Sequence, residues 1–322
     1  MKLRVLALDG GGIKGVFTAA VLAELEERTG LAIVDHFDLI AGTSTGGILA
    51  IGLGLGLPAK TLLGMYVEQG EAIFGQARRA TRALRSLRHG IVPKHDARAL
   101  ERVISAQLGS KKLGDSKTRL LIPTFDATKG TACTFKTAHN PKTIHEYNLT
   151  AVEVALATAA APSYFSAAKI ESRHDASYID GGVWANSPVM AALVEAVHFL
   201  GRDLADIDML SVGTTEEYID FVSKGRKGLL GWNKGLVEVL MAGQVSAAQA
   251  QARLLLGDRF HRINFQANRG AYALDDVSPQ TLTKLATLGQ SVARANDQIT
   301  LVETRFLNGI AAPPFKPLRV PT

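Results

Sequence analysis

Two strand–turn–helix units follow each other at the start of the chain, and they restrict its fold more than any other feature. Leu3 to Leu8 is a short, β-branched and aliphatic run broken only by Arg4, and it reads as a buried strand. A glycine-rich turn follows, and Val16 to Arg28 then carries apolar residues at helical spacing among Glu24, Glu26 and Glu27. The unit repeats, with Phe37 to Ala41 as strand, Gly42 to Gly46 as turn and Gly47 onward as helix. Successive units of this kind build a parallel sheet, because each crossover returns the next strand beside the last and lays its helix on the sheet. A three-layer α/β fold is expected, with helices on both faces.

Further strands are expected at Arg119 to Thr124, Thr134 to Thr137, Ala176 to Ile179 and Met209 to Val212. Helices are expected at Thr61 to Ala77, Ala97 to Leu108, Ala151 to Ala160 and Pro188 to Leu200. Beyond about Thr215 the alternation stops, and Leu236 to Leu256 and Ser278 to Leu307 read as helices. The chain therefore divides into an α/β domain over residues 1–215 and a helical C-terminal portion over 216–322. Its 322 residues suffice for a large core. The single cysteine, Cys133, has no partner within the chain, which fits a reducing compartment. Asp9 interrupts the first apolar run too early for a signal peptide, and Gly46 to Ala59 is too short to cross a bilayer, so a cytoplasmic location is expected. The formal charge of +6 favours anionic partners such as a phospholipid surface, a nucleotide or nucleic acid.

Three elements carry chemistry. Gly42-Thr43-Ser44-Thr45-Gly46 is a G-x-S-x-G turn between strand and helix, which holds a serine at a strained backbone position with its hydroxyl exposed above the sheet. Asp9-Gly10-Gly11-Gly12-Ile13-Lys14-Gly15 exposes backbone N–H groups that suit an oxyanion or a phosphate. Gly10, Gly12 and Gly15 also satisfy the dinucleotide pattern G-x-G-x-x-G, so a nucleotide-binding oxidoreductase is the rival enzyme class. Against it, Asp9 would set a negative charge beside a pyrophosphate. Asp180-Gly181-Gly182 puts an acid at the C-terminal end of a strand, on the rim where open α/β sheets bind ligands. A third reading is a catalytically silent protein that keeps the fold and binds a ligand or a membrane. Of the eight histidines, only His198 and His261 follow these motifs in the order of a conventional triad, and neither sits in a glycine-flanked loop. Both read as ordinary helix or surface residues. No His/Cys/carboxylate cluster has zinc-like spacing, and no cofactor is expected.

These motifs, with Ala160-Ala161-Pro162-Ser163-Tyr164-Phe165 and Asp180-Gly181-Gly182-Val183-Trp184-Ala185-Asn186-Ser187-Pro188, resemble those of the patatin-like phospholipases, over roughly Lys2 to Thr215. The resemblance implies the patatin-like three-layer fold and a lipid acyl hydrolase using a Ser–Asp dyad without histidine. It makes Ser44 the nucleophile and Asp180 the base, with Gly10, Gly11 and Gly12 forming the oxyanion hole. Lys14 stands where arginine is common; it keeps the charge but not the planar fork. The reaction implied is two-step acyl transfer through an acyl-enzyme.

Two other segments point to regulation. Arg78 to Arg98 holds seven basic residues against the one acid Asp96, and reads as a dock for anionic headgroups, a seat for an anionic ligand, or a solvated basic face. Phe221 to Gly235 mixes lysines and Arg226 with Leu229, Leu230 and Trp232, and reads as an interfacial lid or a connector. Phe37 to Gly47, Gly52 to Pro58 and Tyr66 to Phe74 are similar to the patatin effectors of bacterial CBASS antiphage systems, which cyclic nucleotides switch on. That similarity implies a cyclic nucleotide activator. A homo-oligomeric active state and peripheral action at the inner membrane are further expectations, and no nucleic acid partner is expected.

Overall fold

Every residue of β1 (Leu3–Leu8) is buried, and its side chains alternate between two separate apolar layers. Leu6 and Leu8 face one layer, and Leu3, Val5 and Ala7 face the other. Such a strand can only sit inside a sheet covered on both sides. In the computed structural model, which describes residues 2–74, 94–217, 234–268 and 270–318, it does so.

The strands are β1, β2 (Leu39–Gly42), β3 (Arg119–Asp126), β4 (Thr131–Lys136), β5 (Ala168–Ile170), β6 (Ala176–Asp180), β7 (Ile207–Val212), β8 (Glu216–Glu217), β9 (Phe260–Ile263) and β10 (Gln266–Ala267). Eight of them form one sheet in the order β5-β6-β3-β2-β1-β7-β9, with β4 also paired to β3; β8 and β10 form a separate short pair. The segment β3-β2-β1-β7-β9 is parallel, as the repeated strand–turn–helix units require. The β4, β6 and β5 pairings are antiparallel, so the sheet is mixed. The short β5 and β9 have no counterpart in the sequence reading.

The first layer holds α1 (Gly15–Thr29), α2 (Thr45–Gly54), α3 (Ala59–Phe74), α4 (Ala97–Leu108) and α5 (Ala151–Ala159). The opposite layer holds α6 (Val189–Val194) and α7 (Lys234–Leu256). The helix expected to run to Leu200 is α only to Val194, and then widens into a π turn over Glu195–Phe199. There Glu195 is buried between Lys136 and His139. The helix expected over Ser278 to Leu307 is two helices, α8 (Pro279–Ala293) and α9 (Asn296–Arg305). Extended backbone at Ala295 breaks them apart, just after Arg294 forks onto Glu24 of α1.

The C-terminal portion is woven into the main body. β9 extends the parallel sheet beside β7, and Leu282, Leu285, Val302 and Phe306 belong to the same apolar cluster as Leu6 and Phe17. Phe306 is fully buried and stacks on Phe37 at 5.7 Å between ring centroids. Truncating Phe306 to Ala should therefore cost about 3–5 kcal/mol, as for other large buried aromatics. Chemical denaturation checks this; a loss below about 1 kcal/mol would show that these helices are appended to the core and not part of it.

Candidate active site

The register of β3 brings two distant motifs together. β2 runs parallel to β3, with Ala41 opposite Leu121, and stops at Gly42. β6 runs antiparallel to β3, and its last residue Asp180 lies opposite Thr124. The two strands thus approach each other from opposite directions along β3, and their C-terminal ends meet near Pro123. Ser44 follows one end and Asp180 forms the other.

Ser44 is the N-cap of α2 and adopts φ 55 and ψ −121, a backbone position that a residue with a Cβ rarely takes. Its surroundings fix it there. Its N–H donates to Thr158 Oγ1 at 3.0 Å, while the Thr158 hydroxyl donates to the Pro123 carbonyl at 2.6 Å. Its own carbonyl accepts from Ile48 N at 3.0 Å. α5, which carries Thr158, is anchored by a capping box between Thr150 and Glu153. Gly42 permits the tight elbow, since a Cβ there would lie 2.1 Å from the Gly46 carbonyl oxygen.

The Ser44 hydroxyl donates to Asp180 Oδ2 at 2.6 Å, and the N–H of Gly182 donates to Asp180 Oδ1 at 2.7 Å. Ser44 is partly exposed, whereas Asp180 is buried. Burial pushes the Asp180 carboxyl up to about 6, and the two hydrogen bonds hold it from rising further. A carboxylate tuned in this way, touching an exposed hydroxyl, can take that hydroxyl's proton near neutral pH.

The glycine loop passes beside this pair. A Cβ on Gly10 would lie 3.3 Å from Ser44 Cβ, so the loop faces the serine. The Gly10 N–H is already donated to the Asn186 carbonyl at 2.9 Å, and the Gly10 carbonyl accepts from Asn186 Nδ2 and Thr214 Oγ1. The N–H groups of Gly11 and Gly12 have no such partner among the described residues. Gly12 has φ +57, and its loop is seated by the Leu274 carbonyl, which accepts from Ile13 N at 2.9 Å. Gly15 lies against Thr45, Gly46 against the Leu8 and Asp9 carbonyls, and Gly181 against that of Pro123.

Asp9 is buried at the end of β1, and its carboxylate meets Arg262 of β9 at 2.7 Å. Lys14 turns away from the elbow, its ammonium donating to the Thr215 carbonyl at 3.3 Å. Burial lowers the Lys14 pKa, against Glu217 and Glu216, which raise it. The sequence reading includes Asn186 in the Asp180–Pro188 motif without giving it a role, and does not single out Thr158, Thr214 or Arg262. Thr158, Thr214 and Arg262 stand in no local pattern that signals contact across such distances in the chain.

His198 is exposed on the π turn against Phe199, and His261 on β9 packs edge-on to Phe306; neither touches Ser44 or Asp180. Among the described residues no group of three or more His, Cys, Asp and Glu side chains could hold a metal ion, and no helix is long and apolar enough to cross a membrane. Most of the Arg78 to Arg98 stretch, through Pro93, lies outside the described residues, as does 221–233 of the expected lid.

Comparison with known proteins places this site in context. The family model described as patatin-like phospholipase matches residues 6–193, which include all three motifs. The chain is 37% identical over 300 residues to a cGAMP-activated phospholipase of Pseudomonas aeruginosa, covering 90% of this chain and 87% of that protein. It is 34% identical to a cGAMP-activated phospholipase of Vibrio cholerae, covering 91% of this chain and 90% of that one. Among solved structures, VipD from Legionella pneumophila overlays with a TM-score of 0.47 at 13% identity, covering 94% of this chain and 67% of that one.

The raised Asp180 pKa has a consequence for stability. A carboxyl whose folded pKa exceeds its unfolded value costs stability once pH rises through the folded pKa, because the folded state must give up a proton it holds tightly. From 3.8 to about 6, that cost approaches roughly 3 kcal/mol above pH 7. Asp180→Asn cannot ionise. It should therefore unfold at higher denaturant than the wild type at pH 8, and the advantage should vanish below about pH 4. A wild type as stable as Asp180→Asn at pH 8 would refute the burial argument.

Proposed function

The chain belongs to the patatin-like phospholipase family, and from that premise we propose that it hydrolyses fatty-acyl esters of phospholipids through a Ser44–Asp180 dyad. The observation that carries this reading is the 2.6 Å hydrogen bond from a strained, partly exposed serine to a buried carboxylate with no histidine between them.

Asp180 accepts the Ser44 proton as Oγ attacks the ester carbonyl. The N–H groups of Gly11 and Gly12 hold the tetrahedral oxyanion, while Gly10 keeps the loop close to the serine. The proton on Asp180 passes to the departing alcohol, leaving an acyl-enzyme. Asp180 then takes a proton from water, which attacks the acyl carbon, and gives it to Ser44 Oγ as the Oγ–acyl bond breaks and the fatty acid leaves. The oxidoreductase reading of the Gly10–Gly15 turn is set aside, because Gly10 lies against Ser44 and the family model over residues 6–193 is that of the patatin-like phospholipases.

The names of the relatives support a further gate. A cyclic nucleotide is the proposed activator, acting through a difference in affinity between resting and active states. The basic stretch ending at Arg98 is its proposed seat, and the phospholipid membrane surface the proposed site of action. In keeping with the sequence reading, residues 1–215 are proposed to carry the chemistry and 216–322 to bear the lid.

Ser44→Ala should lower ester turnover by several orders of magnitude while leaving the protein folded, and Asp180→Asn should be nearly as damaging. His198→Asn and His261→Asn should keep most of the activity. Turnover of a p-nitrophenyl ester reads all four, and a folded Ser44→Ala protein at wild-type rate would remove the proposal. Because the base must be deprotonated, kcat/KM should rise with pH through about 6 and level off above it; a profile flat from pH 5 to 8 would exclude Asp180 as the base.

Replacing Arg82 and Arg85 by Ala should raise the concentration of cyclic nucleotide needed for activation without lowering maximal turnover. A panel of cyclic nucleotides that changes neither turnover nor sedimentation would end the regulatory proposal and leave the dyad standing.

A further inference from the structure

Arg262 comes from the last strand of the sheet, outside the stretch matched by the family model, yet its guanidinium reaches the first residue of the glycine loop. Its Nη2 lies 2.7 Å from Asp9 Oδ2 and 2.8 Å from Glu216 Oε1, and its Nη1 donates to Ser211 Oγ at 2.7 Å. The side chain is 10% exposed and that of Asp9 is 4% exposed. The guanidinium crosses Gly213 so closely that a Cβ there would lie 2.7 Å from Nη2. Asn264 crowds the same position, its Oδ1 at 2.4 Å from that Cβ, so Gly213 gives room to both side chains.

Asp9 is followed by three glycines, which have no side chains with which to hold themselves. The loop is fixed from outside. Asp9 N donates to the Val212 carbonyl and Gly10 N to that of Asn186 at its start, and Ile13 N donates to the Leu274 carbonyl at its end. Asp9 Oδ2, at the origin of the loop, is answered by Arg262 in an ion pair; without that cation the buried charge would favour taking up a proton or turning toward water, a change passed to the backbone that follows it. Arg262 supplies that cation and, with Ser211 and Glu216 fixing the fork, a defined direction.

We infer that Arg262 is a positioning residue for the proposed oxyanion donors, acting through Asp9 to set where the N–H groups of Gly11 and Gly12 point. This rests on the reading in which Ser44 is the nucleophile and those two groups hold the oxyanion. Donors aimed at the developing charge affect the rate of the chemical step more than substrate binding. The signature of Arg262 is therefore a loss in kcat at nearly constant KM.

The test measures kcat per competent site, counting sites by fluorophosphonate labelling of Ser44 taken to completion. Arg262→Gln should lower kcat per labelled serine about 10²-fold, with KM for a soluble p-nitrophenyl ester within about twofold. Arg262→Lys, which keeps the charge and loses the fork, should recover part of that loss. Asp9→Ala should reproduce the Arg262→Gln defect, and the double variant Asp9→Ala/Arg262→Gln should be no worse than either alone, since both act by one route.

Wild-type kcat per labelled serine in the Arg262 variants, with only fewer labelled sites, would reduce the arginine to a structural role and overturn the inference. Losses that multiply in the double variant would also overturn it. If Arg262→Gln does not fold, Asp9→Ala and Arg262→Lys still decide the point. A wild-type protein that turns over esters without labelling at Ser44 would remove the dyad reading beneath it, an outcome separate from any result on Arg262.

Discussion

The site depends on the way β3 is shared. Two strands from different parts of the chain meet it from opposite directions, and the residues at which they stop are fixed by register: Ala41 opposite Leu121, Asp180 opposite Thr124. A shift of one residue in either pairing would turn Ser44 or Asp180 to the other side of the sheet. The strained serine is secured by the same strand, because Thr158 ties the Ser44 N–H to the Pro123 carbonyl. Backbone of this kind costs on the order of 1–3 kcal/mol and persists only where its neighbours over-determine it. Here the capped α5, the start of α2 and the end of β2 all do so.

The sequence revealed what local pattern can reveal. The aliphatic run of β1 and the two glycine-bounded turns announce buried parallel strands, and the structure has them. Ser44 and Asp180 stood out because each sits in a short motif at the end of a strand, and the fold sets them 2.6 Å apart. β4 and β6 were legible as strands but not as antiparallel ones, since nothing in a strand's own sequence states its direction, and the three-residue β5 was not legible at all. The break between α8 and α9 was hidden because Arg294 and Ala295 are good helix formers, and the pull of Glu24 on Arg294 is a tertiary effect.

Long-range partners were beyond reach for the same reason. The glycine loop shows three apparent donors in the sequence, but Gly10 is committed to Asn186, far along the chain. Leu274 and Arg262 hold the two ends of that loop from a region that read as an appended helical portion. The motifs that carry the family resemblance lie in residues 6–193, whereas the atoms that aim them come partly from residues after 210.

The two buried acids of the site have different kinds of partner. Burial raises the pKa of both. For Asp9 the Arg262 charge opposes that rise, and Arg262 itself, although burial would lower its own pKa, is held up by Asp9 and Glu216. The Arg262 ion pair opposes the rise that burial imposes on Asp9 without cancelling it. For Asp180 only the Ser44 hydroxyl and the Gly182 N–H oppose burial, and no cation does. A carboxylate answered by dipoles alone keeps enough basicity to accept a proton, and it gives that proton up again without breaking an ion pair. The arginine sits on the acid that begins the glycine loop and not on the acid that touches the serine, and this difference in partners is what the proposed roles of loop anchor and base require.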